Sequence, residues 1–138
     1  MKLFARVGLF MLLVGVLVGC NKVRGNEIQS IKVECVDICK DQGEKTLFTE
    51  KTFNDADDIK TFARAINKAT KIQGELDYGA YFYMYIYFEN SSQKKYVLNI
   101  SNEVDKGIKG LLVDSADSGK GYSIPEEFHN ELSTLIYQ

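Results

Sequence analysis

The sequence predicts an α+β domain: a mostly antiparallel sheet, in ββαβββα order, with two helices on one face. Three observations carry this. Residues 81–88 read YFYMYIYF, with Phe82, Met84, Ile86 and Phe88 on one parity and Tyr81, Tyr83, Tyr85 and Tyr87 on the other. A strand sends alternate side chains to opposite faces, so this is a strand with an apolar face and a tyrosine face. A second alternating run, Tyr96–Ser101, follows after a polar break. Two segments of helical periodicity, near 54–69 and 125–137, supply the cover that the apolar face requires.

Burying each of Phe82, Met84, Ile86 and Phe88 stabilises by about 1.5–3 kcal/mol. Ordering the backbone costs about 1–2 kcal/mol per residue, so a hairpin alone does not stand.

Residues 1–19 lie outside the predicted domain. Lys2 and Arg6 make a basic start, Val7–Gly19 is apolar, and the run is short for a bilayer span. It ends in Leu17-Val-Gly-Cys20, which resembles the lipobox of bacterial lipoprotein signal peptides, with Cys20 as the lipidated (palmitate-bearing) residue. The expected organisation is a lipoprotein signal peptide over 1–19, the lipidated Cys20 and a short polar tether to residue 27, and one α+β domain over 28–138. The expected location is the cell membrane, lipid-anchored on its extracytoplasmic side through Cys20. Beyond residue 19 the chain carries 15 basic against 19 acidic residues, a net −4. That balance provides no electrostatic footprint for nucleic acid.

Glu27–Ile38 reads as the first strand. Ile31, Val33 and Cys35 share one parity and Val36 and Ile38 the other, which predicts a bulge near Cys35–Asp37. Lys40–Glu44 reads as a turn, and Thr46–Phe53 as a half-exposed second strand. Asn54 or Asp55 caps a helix with Ile59, Phe62, Ala63 and Ile66 on its apolar stripe, and Gly74 closes the segment. After the tyrosine strand, pairing Glu89 with Lys95 sets Phe88 opposite Tyr96, Ile86 opposite Leu98 and Met84 opposite Ile100. Tyr87 then meets Val97, Tyr85 meets Asn99 and Tyr83 meets Ser101. Leu111–Val113 and Tyr122–Ile124 are short strands. Ser123 and Glu126 form a capping box, with Pro125 in the first turn of a helix that carries Phe128, Leu132, Leu135 and Ile136 on one stripe.

The segment Phe62–Gly74, Leu76-Asp-Tyr78, the aromatic strand, Tyr96-Val-Leu98 and the closing Gly121-Tyr-Ser-Ile-Pro125 together resemble the YhfM-like small lipoproteins of Bacillus. The resemblance spans roughly 28–138. It implies a secreted, membrane-tethered domain of unknown function and transfers no catalytic residue.

Cys35 and Cys39 form an even pair once Cys20 is lipidated. A straight strand holds them about 13 Å apart, and a bridge needs Cα atoms within about 7 Å. A disulfide therefore requires a tight bend at Val36–Ile38. Free thiols and a metal or redox pair are the alternatives. His129 lies one residue past the apolar stripe, which predicts a solvent-facing ring. Asp114–Gly119 superficially suggests a calcium loop, but Ala116 and Pro125 occupy ligand positions, so a solvated hairpin loop is expected.

Phosphate-loop, dinucleotide and zinc motifs are lacking, so the sequence predicts no enzyme, no metal site and no cofactor. The strip Tyr83, Tyr85, Tyr87, Asn99 and Ser101 is the expected interaction surface. The functional expectation is a non-enzymatic binding module with a protein or glycan ligand. The alternative is a structural or envelope accessory lipoprotein.

Overall fold

The computed structural model describes residues 22–40 and 48–138. The predicted signal peptide, Cys20 and residues 41–47, which take in most of the expected turn after Lys40 and the start of the expected second strand, lie outside the described residues.

The described residues form seven strands and three α-helices: β1 (Ile28–Cys35), α1 (Asp37–Lys40), β2 (Glu50–Phe53), α2 (Ala56–Lys68), β3 (Thr70–Lys71), β4 (Phe82–Phe88), β5 (Gln93–Asn99), β6 (Gly110–Asp114), β7 (Gly121–Ile124) and α3 (Glu126–Tyr137). All strand pairings are antiparallel, in the order β2-β1-β4-β5-β6-β7-β3. The predicted fold class holds.

The parity of β4 decides the layers. Phe82, Met84 and Ile86 are fully buried, in one core with Phe62 and Ile66 of α2 and Leu132 and Ile136 of α3. Tyr83, Tyr85 and Tyr87 on the opposite face are half-buried. Part of that outer face is nonetheless covered. Val97 and Val113 pair there and are buried, and the neighbouring Gly121 faces Leu76 so closely that a Cβ on it would collide. The loop after β3 thus lies over this face at β7.

The β4–β5 register differs from the expected one. Phe82 pairs with Leu98, Met84 with Tyr96, Tyr85 with Lys95 and Tyr87 with Gln93, so each partner sits four residues from the predicted position. The hairpin closes immediately after Phe88: Phe88 N–H donates to Ser92 O (2.9 Å) and Ser91 N–H to Phe88 O (3.0 Å), with Ser91 at φ 68. Three residues reverse the chain where the charge match of Glu89 with Lys95 had suggested a wider loop. The slip is even, so the side chains within β4 and β5 keep their predicted faces.

Other differences are local. The irregularity in β1 falls between Ile28 and Ser30, not near Cys35, because the chain coils into α1 there. Helix α2 is capped by Asp55, whose Oδ1 accepts from the Asp57 and Asp58 amides. It stops at Lys68, six residues before Gly74, because Thr70 and Lys71 pair with β7. No capping box forms at α3: Pro125 is the N-cap, and Glu126 Oε1 accepts instead from Gly107 N (3.0 Å). The expected free tether is anchored from Val23 onward. Asn67 Nδ2 donates to Val23 O and its Oδ1 accepts from Val23 N, both at 2.8 Å, and Val23 is buried.

Candidate functional site

The structure does not assemble the predicted strip as one surface. Tyr83 and Tyr85 lie side by side on the outer face beneath lysines: Lys95 Nζ is 4.0 Å from the Tyr83 ring centroid and 5.5 Å from that of Tyr85, and Lys32 Nζ is 4.7 Å from Tyr85. Tyr87 continues the row opposite Gln93. Asn99 is occupied with backbone, its Nδ2 donating to Gly79 O (2.6 Å) and its Oδ1 accepting from Tyr81 N (2.9 Å). Ser101 lies beyond the end of β5 and faces α3. The four-residue change of register removes both from the tyrosines.

Cys35 and Cys39 are joined by a disulfide, with Cα atoms 5.5 Å apart. The coil of α1 provides the tight bend that the bridge requires. In the Asp114–Gly119 loop, Asp114 pairs with Lys94 and Asp117 with Lys120. Among the described residues no group of three or more His, Cys, Asp or Glu could hold a metal ion.

The most chemically organised cluster joins α3 to the segment that leaves β5. His129 is fully buried, contrary to its expected solvent exposure. Its Nε2 accepts from Ser101 N–H at 3.1 Å and lies 3.2 Å from Ser101 Oγ. A backbone amide can only donate, so Nε2 carries no proton, and the proton of the neutral ring sits on Nδ1. Nδ1 faces Asn130 Oδ1 at 3.4 Å. Asn130 is held in turn by Asp105: its Nδ2 donates to Asp105 Oδ1 (3.2 Å) and its Oδ1 accepts from Asp105 N (3.3 Å). Ser133 Oγ donates to Ser101 O (2.8 Å) and Tyr137 Oη to Ile100 O (2.6 Å). One side of α3 thereby fixes residues 100–105 through four side chains, those of His129, Asn130, Ser133 and Tyr137.

This face was readable in principle. His129, Ser133 and Tyr137 follow i, i+4, i+8 spacing, a second stripe beside the apolar one. It was missed because its members are polar and their partner is a loop.

Beside the cluster lies a hollow of about 150 Å³, lined by Asn102, Val104, Ser133, Thr134, Tyr137 and Gln138. Val104, on its rim, is 41% exposed. Ser101 itself is partly exposed. Burial pushes the Tyr137 hydroxyl up to about 12, and the neighbouring Tyr81 adds to the shift. The arrangement sets an alcohol against an unprotonated imidazole nitrogen, and the neighbouring Asn102 and Ser133 line a partly apolar hollow.

A family model described as YhfM protein matches residues 29–138. Among solved structures, the crystal structure of a thioesterase-like protein from Clostridium sporogenes aligns with a TM-score of 0.55 at 14% identity, covering 80% of this chain and 94% of that one. No curated protein matches the sequence. The structural likeness concerns the fold. It stands against the expected non-enzymatic binding module and its accessory-lipoprotein alternative, which rested on the lack of recognised catalytic motifs in the sequence. Among the described residues no helix is long and apolar enough to cross a membrane.

Proposed function

The chain belongs to the YhfM family; because that membership names no reaction, we infer from the site itself that the protein hydrolyses short-chain acyl esters or thioesters. Ser101 is the nucleophile and His129 the general base. The observation that carries this reading is the unprotonated Nε2 of a buried histidine 3.2 Å from the hydroxyl of a partly exposed serine. The thioesterase-like name of the structural neighbour supports the choice of acyl substrate and belongs to that protein.

In the reaction, Ser101 Oγ bonds to the acyl carbon while its proton passes to Nε2. The carbon–sulfur bond breaks and the thiolate takes that proton, leaving an acyl-serine. Water then attacks the ester, gives a proton to Nε2, and the carboxylic acid departs as Oγ regains it. Asn130, steadied by Asp105, holds the ring in the tautomer that leaves Nε2 unprotonated. The adjacent hollow is smaller than the 300–1,000 Å³ typical of drug-sized ligands, which favours short acyl groups.

Thiol release from butyryl-coenzyme A by the full chain tests this. Ser101→Ala should lower the rate by a factor of about 100 or more. Undiminished turnover in that variant would overturn the assignment.

The reading includes a location. Residues 1–20 support export and lipid attachment at Cys20, and a disulfide suits an oxidising compartment. Incorporation of a palmitate analogue, lost in Cys20→Ala, is the expected result; equal labelling of both would contradict it.

A further inference from the structure

A second site lies on α2, in residues that the hydrolase reading does not use. A cavity of about 590 Å³ opens between the short 3-10 turn at Gly25–Glu27, the start of β1 and α2. Ile28, Ile59 and Ala63, each 5% exposed, make an apolar base, and the walls around it carry the polar Asn26, Gln29 and Asn54. One wall is tied down: the Asn67 amide holds both backbone groups of Val23, and the adjoining Gly25 lies at ordinary contact distance from Ala63 of α2.

The charge on its rim selects the ligand. Lys60 and Arg64, one helical turn apart, line the cavity together with a single carboxylate, Glu89. Arg64 is already paired with Glu131 at 3.1 Å. Lys60 makes no ion pair among the described residues. The start of α2 carries Asp55, Asp57 and Asp58, which disfavours a polyanion such as a nucleotide. An apolar floor with one available cation matches a monoanion carrying an alkyl chain.

We propose that this cavity binds an unbranched fatty carboxylate, with its chain on Ile28, Ile59 and Ala63 and its carboxylate on Lys60. The site shares no residue with the Ser101–His129 cluster, so the two readings stand or fall separately.

Calorimetric titration of the full chain with decanoate tests the proposal. Acetate serves as the ligand without a chain and decyltrimethylammonium as the ligand with the opposite head. Decanoate should bind saturably, with a dissociation constant below about 1 mM, and the other two should not. Lys60→Glu, an exposed substitution, should weaken decanoate binding by about tenfold or more. Ala56→Phe, which projects a ring from the exposed helix start into the cavity, should weaken it comparably, and both variants should melt like the parent. Ser101→Ala should bind as the parent does. Absence of saturable decanoate binding, equal binding of decyltrimethylammonium, or indifference to both Lys60→Glu and Ala56→Phe would overturn the proposal.

Discussion

His129 Nε2 lies 3.1 Å from the backbone nitrogen of Ser101 and 3.2 Å from its hydroxyl oxygen, so one ring atom serves two donors of one residue. The two contacts separate by mutation. Ser101→Ala keeps the amide donor and should leave the melting temperature nearly unchanged. His129→Ala strands that amide and opens a space in a buried site, and should cost about 2–4 kcal/mol. Denaturant unfolding of the two variants distinguishes them.

Lys51 closes the open end of α3. Its Nζ donates to Leu135 O (3.0 Å) and Gln138 O (2.6 Å), carbonyls without helical partners, and a cation there complements the helix dipole. Lys51→Met keeps much of the stem and removes the donor. It should lower stability by about 1 kcal/mol, measured by urea denaturation.

The disulfide between Cys35 and Cys39 closes a very short loop. In the chain-entropy account such a loop is worth about 2 kcal/mol. Cys39→Ser should lose about that much, and thiol alkylation of the unreduced parent should label neither cysteine.

Tyr137 links stability to alkaline pH. Its hydroxyl, raised to about 12 by burial, keeps its proton in the folded chain after an unfolded tyrosine has lost it at about 10. The raised folded value means that the contribution is fully present below about pH 10 and is lost as pH climbs toward 12. Tyr137→Phe should cost about 1 kcal/mol near neutrality, through the lost bond to Ile100 O, and should flatten the fall in melting temperature between about pH 10 and 12.

Ser91 occupies the left-handed region at φ 68 in the β4–β5 turn. Ser91→Gly relieves that conformation and should leave stability equal or raise it by up to about 1 kcal/mol, whereas Ser91→Val should lower it. Under the wider predicted loop neither change would matter.

Much of the fold was legible because period-two alternation is encoded residue by residue. Tyr81–Phe88 announces both of its faces, and the helical stripe of α2 announces its own. The register was not legible, because it depends on how many residues the turn consumes, and the Glu89–Lys95 charge match outweighed the turn chemistry of Asn90-Ser91. The disulfide depended on four residues coiling after a strand, which alternation alone does not decide. Strand β3 has two residues and exists only because β7 is there to pair with it. Within the candidate site, Ser101 was noticed for the wrong face and His129 was placed in solvent. Both errors have one cause: α3 buries a polar stripe as well as an apolar one, and hydrophobic periodicity registers only the latter.

The central claim, that Ser101 is a nucleophile activated by His129, is tested most directly by intact-protein mass spectrometry after treatment with a fluorophosphonate, a reagent that captures activated serines. The account predicts a single adduct that maps to Ser101 and is lost in His129→Gln. An unmodified protein, or an adduct that persists in Ser101→Ala, would contradict it.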